Sequence, residues 1–277
     1  MPTEKRARQK AARRAKRAAQ VRRAKTRKWL RNSGITVIAA AVVIALVFLT
    51  LRPGSPKTPK STAKSTTTTT LGATGTKTAQ SNADKLAVDA GCPASTTARV
   101  NTLSWTSPPA MTLDTSKSYS ATVKTTTGTF TVALDAKTAP NTVNSFVFLA
   151  HKSYFHCVIF HRVVKGFVDQ TGDPTGTGSG GPGYDIANEN VPTQYATGDV
   201  AMANSGGTDT NGSQFFVVVP GGATELDGDL KAGGYSLFGK VTKGMGVVEK
   251  INSEGSTTPS AKPAVVQRIL SVTIHES

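Results

Sequence analysis

The second half of the chain alternates apolar and polar residues in short runs that glycine, proline and asparagine separate. Runs at 119–126 and 129–134 flank Thr127-Gly128, which is typical of a β-hairpin. The same pattern predicts further strands at residues 157–164, 167–171, 199–204, 214–219, 236–241 and 267–274. Helical spacing of apolar residues occurs at 140–150 and 245–251. Many strands with two helices predict a mainly β fold, a closed antiparallel barrel rather than a doubly wound sheet.

The charge of the chain is concentrated at its N-terminus. Residues 1–33 hold 14 Lys and Arg against one acid, and so carry +13 of the total of +16. This segment has no apolar stripe, so we interpret it as a basic cytoplasmic tail, either simply solvated or attracted to an anionic membrane surface. Because the rest of the chain is nearly neutral and no aromatic residues are interleaved with the basic ones at 5–28, no nucleic-acid partner is expected.

An uncharged apolar run follows at residues 34–51. As a helix, residues 35–51 would span about 26 Å, close to the ~30 Å of a bilayer core. A cleaved signal peptide is the alternative, but the basic region is too long and no Ala-x-Ala site follows. We therefore predict a single transmembrane helix in the cell membrane, with the tail in the cytoplasm and the rest of the chain on the extracytoplasmic side.

Two segments separate this run from the predicted strands. Residues 52–83 are mostly Thr, Ser, Lys, Pro and Gly, a composition that predicts a disordered linker. Residues 84–116 gain apolar side chains, among them Trp105, and are predicted to form an irregular extension on the surface of a domain at 117–277.

Metal, nucleotide and covalent chemistry find little support in the sequence. The glycine run at 176–181 fits G-x-G-x-x-G, but Pro182-Gly183 follows where a helix would have to open. The four histidines lack ligand spacing, and Ser205 and Ser213 have no evident base. We therefore expect neither a metal nor a cofactor.

Three blocks of the predicted sheet combine long polar side chains with apolar ones. They read FHRVVKGFVDQTGDP at 160–174, VAMANS and NGSQFF within 200–216, and LDG and YSLFGKV within 226–241. In this order and spacing the blocks resemble the cyclophilin family of peptidyl-prolyl cis-trans isomerases, over roughly residues 117–276. The resemblance implies an eight-stranded barrel with a helix at each end, and catalysed isomerisation of the peptide bond that precedes proline.

The resemblance also implies roles for individual residues. Arg162 would act on the prolyl nitrogen, with Gln170 and Phe167 completing the catalytic group. The residues implied in substrate binding are Val168, Ala203, Asn204, Gln214, Phe216, Leu226 and Tyr235. Glu225 stands where many members carry a tryptophan that contacts cyclosporin, so cyclosporin binding is expected to be weakened.

These features together predict a membrane-anchored prolyl isomerase of bacterial type that assists the folding of exported proteins. Its partners would be proline-containing polypeptides. The alternative is a non-catalytic module that holds proline-containing peptides in a cell-envelope assembly. Arg162 favours the enzyme, because peptide binding alone would not require it.

The two cysteines allow two interpretations. Cys92 and Cys157 form one disulfide, which an extracytoplasmic location would preserve. Alternatively both remain thiols, with Cys157 buried as a small apolar residue.

Overall fold

The structure is a computed structural model that describes residues 69–207, 209–226, 233–258 and 261–277. The predicted basic tail, the predicted membrane helix and the first part of the predicted linker lie outside these residues. Within the described ranges, no helix combines the length and the apolar character needed to cross a membrane. The membrane topology therefore stays a prediction.

Four helices and eight strands make up the described part of the chain. The helices are α1 (Thr69–Asp89), α2 (Pro140–His151), α3 (Ala223–Leu226) and α4 (Met245–Ser253). The strands are β1 (Tyr119–Thr125), β2 (Thr129–Leu134), β3 (Arg162–Val164), β4 (Val168–Thr171), β5 (Asp199–Met202), β6 (Phe215–Val218), β7 (Leu237–Lys243) and β8 (Ile269–Glu276). Each predicted strand has a counterpart, which confirms the mainly β fold. Helices α1 and α3 were not predicted.

The eight strands form one antiparallel sheet in the order β3-β4-β6-β5-β7-β2-β1-β8. In β1 and β2 the more buried residues alternate with the more exposed ones, as a strand with one covered face requires. The covered face encloses the main core, where Phe146 of α2 packs edge-on against Phe215 of β6 at 5.5 Å between ring centres. Burial of this apolar face is the main force that keeps the sheet curled.

The predicted closed barrel is only partly correct. β3 and β8 lie at the two ends of the strand order and are not paired along their lengths. Instead, residues 157–160 and 267–269 meet over a short stretch, with a bridge between Ile159 and Arg268 and three backbone hydrogen bonds around it. Cys157 has a left-handed backbone (φ 66°), which a continuous strand cannot contain, so β3 begins only at Arg162. The sheet is therefore an open, curled half-barrel with a short bridge across its gap.

Over residues 69–83, helix α1 stands where disorder was predicted, and it continues past the predicted boundary between residues 83 and 84. The rest of the predicted linker, residues 52–68, lies outside the described ranges. Ala83 and Ala87 are buried and lie four residues apart, so one narrow stripe of the helix packs on the domain. The guanidinium of Arg268, only 1% exposed, donates to the Asp84 carboxylate at 3.2 Å. A stripe of two alanines is too weak a signal to stand out in a segment rich in threonine and glycine.

Cys92 and Cys157 form a disulfide, with their Cα atoms 5.3 Å apart. The structure therefore contains the disulfide, the first of the two interpretations that the sequence left open. The bond joins the segment that leads into β3 to residues 90–113. These residues, the part of the predicted extension that follows α1, are called the extension from here on. The side chain of His156 lies close to both sulfur atoms, but sulfurs joined in a disulfide are not thiolates and do not bind a metal ion.

Candidate functional site

A second apolar cluster lies apart from the main core, on the opposite face of β4 and β6. Its buried members are Val168, Tyr195, Ala201, Phe216, Val218 and Leu226, and its partly exposed members are Phe167, Ala203, Ala223 and Tyr235. Because successive strand residues point to opposite faces, β6 contributes Phe215 to the main core and Phe216 to this cluster. The result is an apolar surface that stays partly open to solvent.

Three polar side chains form a hydrogen-bonded relay beside this cluster. Arg162 of β3 is the register partner of Gln170 of β4, and its guanidinium donates to Gln170 Oε1 at 3.3 Å. Gln170 Nε2 donates to Gln214 Oε1 at 3.0 Å. Gln214 Nε2 donates to the backbone carbonyls of Gly178 and Gly180, each at 3.0 Å. The relay orients both amides and fixes one side of the guanidinium.

Arg162 is also held by an aromatic ring. Its guanidinium carbon lies 5.8 Å from the centre of the Phe167 ring, within the range of a cation–π attraction. A guanidinium has five N–H donors, and the bond to Gln170 uses one of them. Arg162 therefore presents a positioned cation, with donor capacity for a ligand, at the edge of an apolar surface.

The segment after β5 forms another wall of the site. The N–H of Ala203 donates to the carbonyl of Gln214 at 2.9 Å. The side chain of Asn204 is occupied internally, since its Nδ2 donates to Gly234 O at 2.9 Å and its Oδ1 accepts from Gly206 N at 3.1 Å. If Asn204 contacts a ligand, its main chain is the part that remains to do so.

Tyr235 closes the apolar cluster. Its ring stands edge-on to Phe216, with ring centres 5.2 Å apart and planes at 89°. The hydroxyl of Tyr195 accepts from Tyr235 N–H and donates to the Tyr235 carbonyl, both at 2.7 Å. Sequence reasoning missed Tyr195, because an isolated tyrosine in a loop carries no periodic signal.

The relay faces a cavity of about 430 Å³. Its lining includes Gln170, Ala203, Asn204 and Gln214, together with glycines of the segment 172–183, which we call the glycine-rich loop. Most of the lining is small or polar, unlike the apolar cluster beside it. The site therefore offers two neighbouring surfaces, one suited to an apolar ring and one to a polar chain.

Asp173 organises the glycine-rich loop from within. Its Oδ1 accepts from Thr175 N at 2.7 Å, and its Oδ2 accepts from Gly178 N at 2.6 Å. Burial would raise the pKa of this carboxyl, but hydrogen bonds from Thr175, Gly180 and Gly178 together outweigh that effect and hold the pKa below its usual value. Asp173 is therefore an internal anion that folds the loop around itself. No sequence pattern predicts this role.

His161 lies beneath the same loop, where a Cβ added to Gly178 would be 3.7 Å from the imidazole Cδ2. Burial lowers the pKa of this imidazole, so the neutral ring is favoured.

The structure brings all ten predicted site residues into one region. Arg162, Gln170 and Gln214 form the relay. Phe167, Val168, Ala203, Phe216, Leu226 and Tyr235 belong to the apolar cluster, and Asn204 lines the cavity. The individual roles of these residues remain predictions.

Comparison with known proteins identifies the family. Residues 120–274 match the model of the family described as cyclophilin type peptidyl-prolyl cis-trans isomerase/CLD. The chain therefore belongs to the cyclophilin-type peptidyl-prolyl cis-trans isomerases, enzymes that interconvert the cis and trans forms of the bond before proline.

Curated relatives carry the same activity in their names. A peptidyl-prolyl cis-trans isomerase-like 1 of Neurospora crassa is 40% identical over 153 residues, which is 53% of this chain and 89% of the relative. A peptidyl-prolyl cis-trans isomerase of Helicobacter pylori is 41% identical over 139 residues, which is 49% of this chain and 81% of the relative.

Solved structures agree with the fold. A cyclophilin-type isomerase of Cryptosporidium parvum superposes with a TM-score of 0.52 at 31% identity, covering 58% of this chain and 99% of that chain. The crystal structure in the presence of the dipeptide Ala-Pro gives a TM-score of 0.51 at 32% identity, covering 57% of this chain and 99% of that chain.

Proposed function

We propose that this isomerase acts on proline-containing segments of exported polypeptides, from a membrane-anchored position outside the cytoplasm. The observation that carries the catalytic part is the relay that holds Arg162 at the edge of the apolar cluster. The apolar run at 34–51 and the strongly basic residues before it support the location. The bacterial assignment rests on the same combination of anchor and domain.

Catalysis here requires only that the twisted bond be bound better than the planar one. An X-Pro bond rotates over a barrier of about 18–20 kcal/mol, because the C–N bond has partial double-bond character. At the top of the barrier this character is lost, and the prolyl nitrogen becomes a hydrogen-bond acceptor. A donor aimed at that nitrogen therefore stabilises the transition state and not the ground states.

In this mechanism Arg162 supplies that donor. A hydrogen bond to a charged group is worth about 1.5–3 kcal/mol, which corresponds to about one to two powers of ten in rate. The rest of the acceleration must come from holding both ends of the bond in a preorganised groove. Gln170 orients the guanidinium, and Gln214 orients Gln170.

Binding is divided between the two neighbouring surfaces. The proline ring occupies the apolar cluster formed by Phe167, Val168, Phe216, Leu226 and Tyr235. The residue before proline lies along Ala203 and Asn204, beside the polar cavity. The structure of the Cryptosporidium parvum isomerase in the presence of the dipeptide Ala-Pro supports proline-containing peptides as the substrate class.

The competing function is a non-catalytic module that holds proline-containing peptides in a cell-envelope assembly. Arg162 is the residue that favours catalysis, since holding a planar X-Pro segment does not require a guanidinium at the nitrogen. The two functions differ in one measurement. An isomerase accelerates the slow, proline-limited refolding of an exported protein at substoichiometric concentration, whereas a holding module slows it or leaves it unchanged.

The location is tested by protease treatment of intact cells. If the domain lies outside the cytoplasm, added protease should cleave the chain between residues 52 and 68 and release an active domain. Lysed cells provide the control for accessibility. A domain that is protected in intact cells and cleaved only after lysis would show that the orientation is reversed.

We also propose that cyclosporin binds weakly. Glu225 is exposed on α3, next to Leu226 of the apolar cluster, and places a carboxylate beside an apolar ligand. Calorimetric titration of the parent protein and of Glu225→Trp should show tighter binding by the variant. Nanomolar binding by the parent would contradict the proposal.

A further inference from the structure

The extension lies outside the segment that matches the family model, yet it is bonded to the glycine-rich loop. The N–H of Val100 donates to the carbonyl of Pro174 at 2.9 Å. The N–H of Trp105 donates to the carbonyl of Pro182 at 2.8 Å. These contacts lie near the two ends of the loop, so the extension spans it from one end to the other.

The two contacts flank the part of the loop that holds the relay. Between Pro174 and Pro182 lie Gly178 and Gly180, whose carbonyls accept from Gln214 Nε2. A loop rich in glycine has many accessible backbone conformations, so fixing its ends removes much of that freedom. The position of the two carbonyls therefore depends on the extension as well as on Asp173.

Close backbone contact between the extension and the loop requires a glycine at position 183. Gly183 has φ +90°, and a Cβ at this position would be 2.2 Å from Ser104 Oγ and 2.7 Å from the Trp105 carbonyl. No side chain can be added there without moving the extension away from the loop. The contact is therefore both tight and open to a specific steric test.

The extension is in turn anchored to the body of the domain through aromatic contacts. The ring of Trp105 lies 5.0 Å from that of Phe148 and 6.1 Å from that of Tyr154, measured between ring centres. The side chain of Asn101 donates to the Tyr154 carbonyl at 2.8 Å. The hydroxyl of Tyr154 accepts from Ser213 Oγ at 3.2 Å. Ser213 directly precedes Gln214 in the chain.

We propose that the extension is a positioning element of the active site, with Trp105 as its principal residue. It holds the loop carbonyls that orient Gln214 and, through Gln170, the guanidinium of Arg162. The ring of Trp105 packs on Phe148 and Tyr154, and its backbone N–H bonds to the loop, so Trp105 acts on these three side chains through the loop. The proposal rests on the proposed role of the relay in catalysis.

The test compares three variants of the full chain in a proline-isomerisation assay at subsaturating and saturating peptide. Trp105→Ala should lower kcat by about tenfold and change KM by less than about twofold, because a small displacement of a catalytic group acts on the transition state. Trp105→Phe keeps an aromatic contact with Phe148 and should restore most of kcat. Leu103→Ala, an exposed residue of the same extension, should behave like the parent.

Two further variants exclude a merely structural effect. Gly183→Ala should lower kcat as Trp105→Ala does while leaving the aromatic contacts in place, so it carries the test if Trp105→Ala does not fold. In a Gln214→Ala background, Trp105→Ala should cause no further loss, since both changes break the same chain of contacts.

An unchanged kcat in folded Trp105→Ala, or an equal loss with and without Gln214, would overturn the proposal. Failure of the underlying mechanism is recognised separately, because Arg162→Ala would then retain the parent activity.

Discussion

The two faces of β4 place polar side chains in opposite environments. Gln170, on the face toward the site, is partly exposed and has a partner at each end of its amide. Asp169, one residue earlier, is 0% exposed, and its Oδ1 accepts from Asn252 Nδ2 at 2.7 Å. In the described part of the chain no donor reaches Asp169 Oδ2.

The difference shows in the protonation of Asp169. Burial raises the pKa of this carboxyl to about 7, although the hydrogen bond from Asn252 opposes the shift. Asn252 also accepts from Gly166 N and donates to Val164 O, so one amide joins α4 to the turn between β3 and β4. The site face thus has preoriented polar groups, whereas the core face contains an acid that costs stability when ionised. Burial and the hydrogen-bond partners within reach therefore decide whether a polar group on this strand stabilises or destabilises the fold.

The largest expected effect is on the site face. Arg162→Ala should lower kcat/KM by about 100-fold, the upper end of what one charged hydrogen bond supplies. Arg162→Lys should also be strongly impaired, because an ammonium lacks the planar fork that Gln170 orients. Thermal unfolding should change little, since the side chain is partly exposed. Activity within about twofold of the parent would contradict the mechanism.

The second effect is on the core face and concerns stability. Below pH 3.8, the ordinary pKa, Asp169 holds its proton in both folded and unfolded chains. Between pH 3.8 and about 7 only the folded chain holds it, so stability falls as pH rises and stays reduced above about 7. The difference between a pKa of 3.8 and one of about 7 corresponds to a loss of at most about 4 kcal/mol in the free energy of unfolding above pH 7.

Asp169→Asn should therefore raise the free energy of unfolding by about 2 kcal/mol at pH 8, since the amide removes the charge but buries an N–H₂ group. At pH 4 the folded parent carboxyl is uncharged, so the buried N–H₂ group should leave the variant less stable than the parent by about 1–2 kcal/mol. Urea denaturation at the two pH values measures the difference, and isomerase activity should be unchanged. A variant less stable than the parent at pH 8 would show that the ionised carboxylate is solvated or paired.

The smallest expected effect is that of Gln170→Ala on kcat, and it tests the comparison of Gln170 with the adjacent Asp169. Gln170→Ala removes the link between Arg162 and Gln214 and should lower kcat by about tenfold, less than loss of Arg162 itself. KM should change less than kcat, because the apolar cluster is untouched. Asp169→Asn, one residue away, is the matched control, and steady-state kinetics are measured for both variants. Equal activity of the two variants would indicate that the relay does not position Arg162.

Much of the domain was predictable from local patterns. β1, β2 and β4 were predicted to within a residue at each end, because period-two alternation is a property of the strand itself. The ten site residues were found through the resemblance of three blocks, and the structure brings them together. Helix α1 was missed, since its buried stripe consists of two alanines and its ion pair, between Asp84 and Arg268, joins residues far apart in the sequence.

By itself, the sequence determined the mainly β fold, the family and the set of residues predicted to form the site, because strand period and motif order are written along the chain. Only the tertiary structure decided how the half-barrel is bridged, that Asp169 is buried, and that the extension contacts the glycine-rich loop. Those features depend on backbone carbonyls, left-handed residues and contacts between distant segments. Backbone groups are the same in every residue, so no side-chain pattern records where they meet.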